Sequence, residues 1–326
     1  MNYELTIIVP VYGVEDYLAK CLDSLINQTV LKHKIFAVND GTKDNCQEII
    51  EEYEKKYPNI VKGFIKENGG LSDARNYGLK YVDTPYVMFI DADDYVENNM
   101  VEICLNKIKE GYDIVTFNYY QHHVVDNTFE VISHKINSGG YSMNENKEIL
   151  AFTSNAAWNK IYKTSLFFDN NIRYPKGLLY EDLGTTPILL HCADRIYFIN
   201  EPLYHYLVDR PNNITRLVNE KVFDLFTVMK IVIDYYKSID KFNEYESELY
   251  YLFKSNLVDN MRKIVLSKDC KFTNRFIDAA FDMEEKYFKH ANRKYEIKLK
   301  GTDVVYLNRL AAKTYSSFRK IVKGDM

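Results

Sequence analysis

The sequence predicts an α/β fold, a Rossmann-like sheet flanked by helices, followed by a C-terminal helical region. Three observations predict it. Over the first hundred residues, apolar runs of strand length alternate with segments of helical period. Polar clusters stand directly behind three of those strands: "PVYG", "NDGTKD" and "DADD". After Arg216 the alternation stops, no proline follows Pro211, and the pattern is helical to the end.

The first strand is expected from Leu5 to Val9. A helix follows from Tyr17 to Gln28, with Leu18, Cys21, Leu22, Leu25 and Ile26 on one face, then a strand from Ile35 to Val38. Another helix starts near Asp44, a strand runs from Val61 to Ile65, a helix from Ser72 to Val82, and a strand from Tyr86 to Ile90. Repeated βα units force parallel strands, and ligands of such sheets gather at the carboxyl ends of the strands. Beyond residue 100 the pattern is mixed: a helix from Val101 to Lys109, a strand from Asp113 to Tyr120, a hairpin arm from Phe129 to Ser133, and short pieces around "WNKIYK" and "RIYFI". These read as the second half of one sheet, so residues 1–216 are expected to form one α/β domain and residues 217–326 a separate helical one.

At 326 residues, 46% hydrophobic and 27% charged, the chain can bury a sizeable core and form more than one lobe. No stretch reaches the roughly 18 apolar residues of a membrane span, and "MNYELTIIVPVYG" carries Glu4 where a secretory signal needs basic residues. Five scattered cysteines (Cys21, Cys46, Cys104, Cys192, Cys270) form no C-x-x-C pair. They read as small buried hydrophobes in a reducing cytoplasm, not as zinc ligands or a disulfide framework. The net charge of −4 gives nucleic-acid binding no support, although Lys286 to Met326 hold 11 Lys or Arg against 3 Asp or Glu.

Chemistry concentrates in three stretches. In "FIDADDYV", Asp91, Asp93 and Asp94 crowd negative charge behind a buried strand. Like charges so close repel and raise one another's pKa, so such a cluster persists where a cation or a reaction uses it. Carboxylates bind hard divalent cations, and Mg²⁺ or Mn²⁺ needs only one or two of them when substrate phosphates supply further oxygens. Either Asp93 or Asp94 is also expected to cap a helix beginning near Val96. In "VNDGTKD", Gly41 permits a turn and Asp44 can cap the next helix, leaving Asp40 at the rim as an acceptor for a base N–H or a ribose hydroxyl, or as part of an ordinary turn. In "ENGGLSDARNYGL", paired glycines admit close approach of a ligand, and Ser72 or Asp73 can start a helix whose first turn presents Arg75 to an anion or, as scaffolding, to the "DADD" carboxylates.

Together, "TIIVPVYGVEDYLAKCLDSLINQT", "VNDGTKD", "NGGLSDARNYGL" and "FIDADDYV", in this order, resemble the nucleotide-sugar half of a family 2 glycosyltransferase of the GT-A fold, of the bacterial surface-polysaccharide type. The match covers residues 4 to about 100 strongly. Residues 155–216 match less densely, through "WNKIYK", "YEDLGTTPILL" and "YHYLVDRPNNITR". The resemblance implies an inverting, metal-dependent hexosyl- or N-acetylhexosaminyltransferase. It would take its sugar from a nucleoside diphosphate, usually UDP, and pass it to a hydroxyl of a cell-surface glycan or lipid-linked precursor. By that resemblance residues 1–100 are the nucleotide-sugar half and residues 101–216 the acceptor half. Pro10, Tyr12, Asp40, Asn68 and Arg75 would surround the nucleotide, Asp91 would face the ribose or sugar, and Asp93 would bind Mn²⁺ or Mg²⁺. Gly13 departs from the Asn common after "PVY", and Asn39 stands where many members carry Asp.

Inversion requires a carboxylate opposite the leaving diphosphate. By resemblance to the family's E-D block, Asp182 would be the general base and Glu181 its neighbour in acceptor binding. Arg210, or second to it Arg216, would close a loop on the diphosphate. His205 is read as a packed residue before a metal ligand, and Trp158 as either a sugar-stacking wall or core. A nucleotidyltransferase would need a glycine-rich basic loop after the first strand, which "VPVYGVEDY" lacks. The alternative is an inactive GT-A-fold partner subunit of a transferase complex. From Leu307 to Val322, apolar residues share one helical face and Arg309, Lys313, Lys320 and Lys323 the other. That helix is expected to pack on the C-terminal helices or a second subunit, giving a homo-oligomer, with peripheral contact at the inner face of the membrane as the alternative.

Overall fold

The computed structural model describes residues 3–209, 218–267, 271–295, 309 and 311–313. It divides into two units, Met1–Gly177 with Glu181–Asn213, and Leu178–Tyr180 with Ile214–Met326.

The first unit opens with β1 (Leu5–Val11), α1 (Glu15–Ile26), β2 (His33–Asn39), α2 (Cys46–Lys56), β3 (Val61–Ile65), α3 (Leu71–Leu79) and β4 (Tyr86–Phe89). It continues through β5 (Tyr95–Val96), α4 (Met100–Lys109), β6 (Ile114–His123), β7 (Thr128–Ile132), β8 (Gly139–Tyr141), α5 (Glu148–Phe152), β9 (Lys160–Lys163), α6 (Ser165–Asp169), α7 (Thr186–Cys192) and β10 (Ile196–Val208). The strands form one mixed sheet in the order β3-β2-β1-β4-β9-β6-β10-β5, with β7 on β6 and β8 on β10. β3, β2, β1 and β4 run parallel, as the βα alternation requires. β9 pairs antiparallel with both β4 and β6, and so stitches the later strands onto the earlier ones.

Periodicity accounts for the helices. The face of α1 expected to be apolar is the one buried, with Leu18, Cys21, Leu22, Leu25 and Ile26 packed on β1 residues Leu5, Ile7 and Val9. Cys21, Cys46 and Cys104 are buried and Cys192 is partly so, while Cys270 lies outside the described residues. β10 is longer than "RIYFI" suggests. Its register against β6 shifts around Ile199, Pro202 and Tyr204, so the alternation of the sequence breaks although the strand does not.

Two expected helix starts are corrected. No helix begins at Val96, because Tyr95 and Val96 form β5 against His205 and Tyr204 of β10, and α4 starts at Met100 behind Asn99. Likewise α3 starts at Leu71 behind Gly70, whose φ of 85° suits glycine, and Ser72 lies buried inside the helix.

The second unit holds α8 (Asp224–Ser238), α9 (Glu246–Leu266) and α10 (Thr273–Phe288). Its interior carries charge: Lys254 on α9 pairs with Glu284 on α10 at 2.6 Å, and both are buried. Arg293 reaches the other Glu284 oxygen at 3.0 Å, and Lys294 and Tyr295 bond Glu248 at 2.9 and 2.8 Å. Of the basic tail, Arg309 pairs with Asp282 at 2.6 Å and Lys313 with Asp278 at 2.6 Å, both on α10. The expected solvent face at these two positions is therefore turned to carboxylates of α10. The remainder of the predicted tail helix lies outside the described residues. Among the described residues no helix is long and apolar enough to cross a membrane.

Candidate active site

The carboxyl ends of β3, β2, β1 and β4 stand side by side and gather the residues singled out in the sequence. Pro10 lies buried in the last turn of β1, and Tyr12 just beyond it is 55% exposed. The turn after β2 is held by Asn39, whose Oδ1 accepts the Thr42 N–H at 2.9 Å, while the Thr42 hydroxyl accepts the Gly13 N–H at 2.9 Å. Gly13 and Asn39, the two departures from the family pattern, thus meet in one hydrogen-bonded turn. Asp44 accepts from the backbone N–H of Cys46 at 3.3 Å and of Glu15 at 3.1 Å, and Glu15 returns the favour to the Asn45 N–H at 2.8 Å. Each helix start receives a carboxylate from the other.

Asp40 is not at the rim. It is buried, with Oδ1 accepting from Gly69 N–H at 3.0 Å and Lys66 Nζ at 2.5 Å, and Oδ2 from Gly70 N–H at 2.7 Å. A loop of exposed N–H groups needs an internal acceptor, and Asp40 supplies it. Lys66 also pairs with Asp73 at 2.8 Å, and Lys176 with the other Asp73 oxygen. Asn68, between Lys66 and the glycines, is exposed.

Behind β4 the three aspartates divide. Asp94 is buried and points inward, accepting from the Tyr204 hydroxyl at 2.6 Å and the Leu207 N–H at 2.8 Å. Burial, with Asp93 and Asp91 nearby, pushes its carboxyl well above the usual range. It therefore ties β10 to the motif and caps no helix. Asp91 and Asp93 remain half-buried.

Arg75 is the junction of the site. Its guanidinium is buried, donating from one terminal nitrogen to Asp91 at 2.8 Å and from the other to Glu181 at 2.6 Å. The sequence offered an anion or Asp91 as its partner; the second carboxylate, 106 positions along the chain, carries no local signal. Both carboxylates hold Arg75 protonated against the cost of burial. Glu181 and Asp182 sit on the turn entering α7, where Thr185 N–H and Thr186 N–H donate to the Asp182 carbonyl at 3.1 and 2.7 Å. Burial, then Glu181, pushes the Asp182 carboxyl up to about 7 against the opposing pull of Arg75, the Leu183 N–H and Lys160. A carboxylate poised near neutrality suits a general base.

Trp158 is 8% exposed, stacked on Tyr204 at 4.3 Å and on Tyr206 at 5.3 Å between ring centres, so it belongs to an aromatic core. His205 bonds Glu97 at 2.9 Å and His122 at 2.8 Å and stacks on Tyr95, and burial lowers its pKa. It is a packed histidine. Among the described residues no three His, Cys, Asp or Glu form a ready-made metal cluster. Arg210 and Arg216 lie outside the described residues.

The profile of glycosyl transferase family 2 matches residues 6–170. The chain belongs to that family. Two curated relatives of this chain are glycosyltransferase GlyA of Streptococcus pneumoniae and the minor teichoic acid biosynthesis protein GgaB of Bacillus subtilis. GlyA is 36% identical over 229 residues, 67% of this chain and 32% of the relative. GgaB is 32% identical over 254 residues, 73% of this chain and 27% of the relative. The chain thus spans a third or less of those two proteins. Its fold is that of S. aureus TarS residues 1–349, a structure also determined with UDP and with UDP-GlcNAc. The ligand-free structure superposes with a TM-score of 0.72 at 19% identity, over 99% of this chain and 92% of that one. The likeness covers the mixed sheet and the C-terminal helices, which shows a GT-A fold followed in the chain by a helical region.

Proposed function

We propose that this transferase moves a hexose or N-acetylhexosamine from a UDP-sugar to a hydroxyl of a cell-surface glycan or lipid-linked precursor, with inversion and with a divalent metal. The observation that carries it is the Arg75 bridge. It joins Asp91, behind strand β4, to Glu181, next to the proposed base, and so supports reading the donor and acceptor carboxylates as parts of one site. The UDP and UDP-GlcNAc complexes of TarS support a uridine donor, and the teichoic-acid relative supports a surface-polymer acceptor.

Pro10, Tyr12 and Asn68 would line the nucleotide. Asp40 and Arg75 would act there by shaping the loop and anchoring Asp91, and Arg210 would meet the diphosphate. Asp91, held by Arg75, would face the ribose or donor sugar, and the half-buried Asp93 offers a hard carboxylate that fits Mn²⁺ or Mg²⁺ completed by substrate phosphates. Bound there, the ion would offset charge on the leaving diphosphate. Asp182 would take the proton of the acceptor hydroxyl while that oxygen attacks the anomeric carbon. The bond from that carbon to the diphosphate oxygen breaks and its electron pair leaves with UDP; the products are the inverted glycoside, UDP and protonated Asp182. The site of action proposed is the cytoplasm, at the inner face of the membrane where the acceptor is lipid-linked. The pairing of Arg309 and Lys313 with α10 supports packing of the basic tail over membrane docking.

The test is a screen of nucleotide sugars for Mn²⁺-dependent hydrolysis, with water as acceptor. One UDP-sugar is expected to be hydrolysed. Asp93→Ala should abolish metal-dependent UDP binding at the Mn²⁺ concentration that saturates the parent, whereas Asp182→Ala should bind UDP and lose turnover. UDP binding without hydrolysis or transfer of any donor would instead identify an inactive partner subunit.

A further inference from the structure

A lysine with no exposed surface lies in the "WNKIYK" segment and has so far entered only as one of the charges that bear on Asp182. Lys160, the first residue of β9, is 0% exposed. Its Nζ donates to the carbonyl oxygens of Ser154 at 2.6 Å and Ala156 at 2.9 Å, and to Oδ1 of Asn159 at 2.6 Å. Three acceptors match the three N–H bonds of an ammonium, whereas a neutral amine has only two to give. Burying an ammonium is costly, so a chain that does so gains something specific from it.

The bonds show what is held. Ser154, Asn155 and Ala156 form the loop before β9, and the Asn155 carbonyl between the two Lys160 acceptors receives the Thr186 hydroxyl at 2.7 Å. Thr186 in turn donates its backbone N–H to the Asp182 carbonyl at 2.7 Å, and the neighbouring Thr185 hydroxyl closes on the Glu181 carbonyl at 2.7 Å. From Lys160 to the Asp182 turn the path runs through hydrogen bonds joined by the covalent backbone of Ser154–Ala156 and by Thr186 itself, all within the sheet unit. Burial lowers the Lys160 pKa to about 7 and Asp182 opposes that fall, while Lys160 in turn favours the ionised form of Asp182.

We infer that Lys160 is a positioning residue for Asp182: it fixes the loop on which the Glu181–Asp182 turn rests, and its positive charge favours the Asp182 carboxylate. This inference rests on the reading of Asp182 as base. The groups that bear on Asp182 are Glu181, which disfavours its ionised form, Arg75 and Lys160, which favour it, and the buried Tyr162 and Tyr174, whose hydroxyls burial keeps neutral.

The experiment measures kcat against pH for Mn²⁺-dependent hydrolysis of the UDP-sugar hydrolysed fastest in the donor screen, with UDP affinity in parallel. Lys160→Met is expected to lower kcat about tenfold at pH 7 and to move the acid limb up by about one pH unit, leaving UDP affinity within twofold. Lys160→Arg keeps the charge and should return the limb to its parental pH. Thr186→Val cuts the loop from the turn with Lys160 intact, and should lower kcat severalfold at every pH without moving the limb. A Lys160→Met profile that superimposes on the parent's after scaling would overturn the inference, as would full kcat in Thr186→Val. If Lys160→Met does not fold, Lys160→Arg and Thr186→Val decide by the same criteria. Near-normal turnover in Asp182→Asn would sink the base reading itself, a result distinct from either of these.

Discussion

Replacing Arg75 with Met should damage stability and activity together, for a reason that can be worked from the geometry. The guanidinium side chain is 2% exposed, and its partners Asp91 and Glu181 are 23% and 13% exposed. Methionine fills much of the volume but leaves two shielded carboxylates facing one another without a counter-ion. Breaking one fully buried pair costs about 3–5 kcal/mol. Two such losses are not additive here, because water reaches part of Asp91 and the carboxylates can separate. A total of about 3–5 kcal/mol is therefore expected, which lowers the melting temperature of a unit this size by roughly 10 °C. Arg75→Lys keeps one charge but cannot fork to both carboxylates, so it should fall between. Calorimetry reads the stability and donor hydrolysis the activity. A melting temperature for Arg75→Met within about 2 °C of the parent would refute the reasoning, since the bridge would then contribute nothing net.

Three further outcomes follow from the same structure. Because Asp182 is raised to about 7, above the ordinary carboxylate value of about 3.9, the native state holds an extra proton between those values and loses stability as pH rises through them. Asp182→Asn should therefore melt higher than the parent at pH 8, converge with it near pH 4, and be inactive; an equal offset at both pH values would contradict the buried-acid account. In the helical unit, Lys254→Met removes the buried partner of one Glu284 oxygen and leaves Arg293 and Tyr250 on the other, so it should cost about 1–3 kcal/mol in urea unfolding, with part recovered in the Lys254→Met/Glu284→Leu double variant. A chain ending at Thr302 should lose stability or change oligomeric state, while the full chain should ignore phosphatidylglycerol vesicles even at low salt; vesicle binding that vanishes on truncation would favour the membrane.

The strand ends were legible because each parallel strand closes on a turn of Gly, Asp or Asn, and the four motifs fall on four adjacent strands. What was not legible depends on partners far along the chain. Nothing local distinguishes Asp94 from Asp93, and only the Tyr204 hydroxyl and the Leu207 N–H, over a hundred residues away, turn it inward. The same distance hides Glu181 from Arg75. Asp40 read as a rim acceptor because the glycine N–H groups that occupy it lie in a different turn. β5 was missed since two residues carry no period, and "DYV" before a helical run reads equally well as a helix start. Lys160 gave no signal at all, because a lysine in an apolar segment looks like the polar member of an alternation.

The inward turn of Asp94 also changes how damage to this motif must be interpreted. An alanine scan through "DADD" would return inactive proteins at both Asp93 and Asp94, and side by side they would look like a pair of cation ligands. Only one of them would have lost a ligand. At Asp94 the loss would be that of a clamp: the strand running toward Arg210 would no longer be pinned to the loop after β4, and Tyr204 would be left with a buried hydroxyl and no acceptor. Excess Mn²⁺ separates the two lesions, because a weakened ion site responds to concentration and a released strand does not.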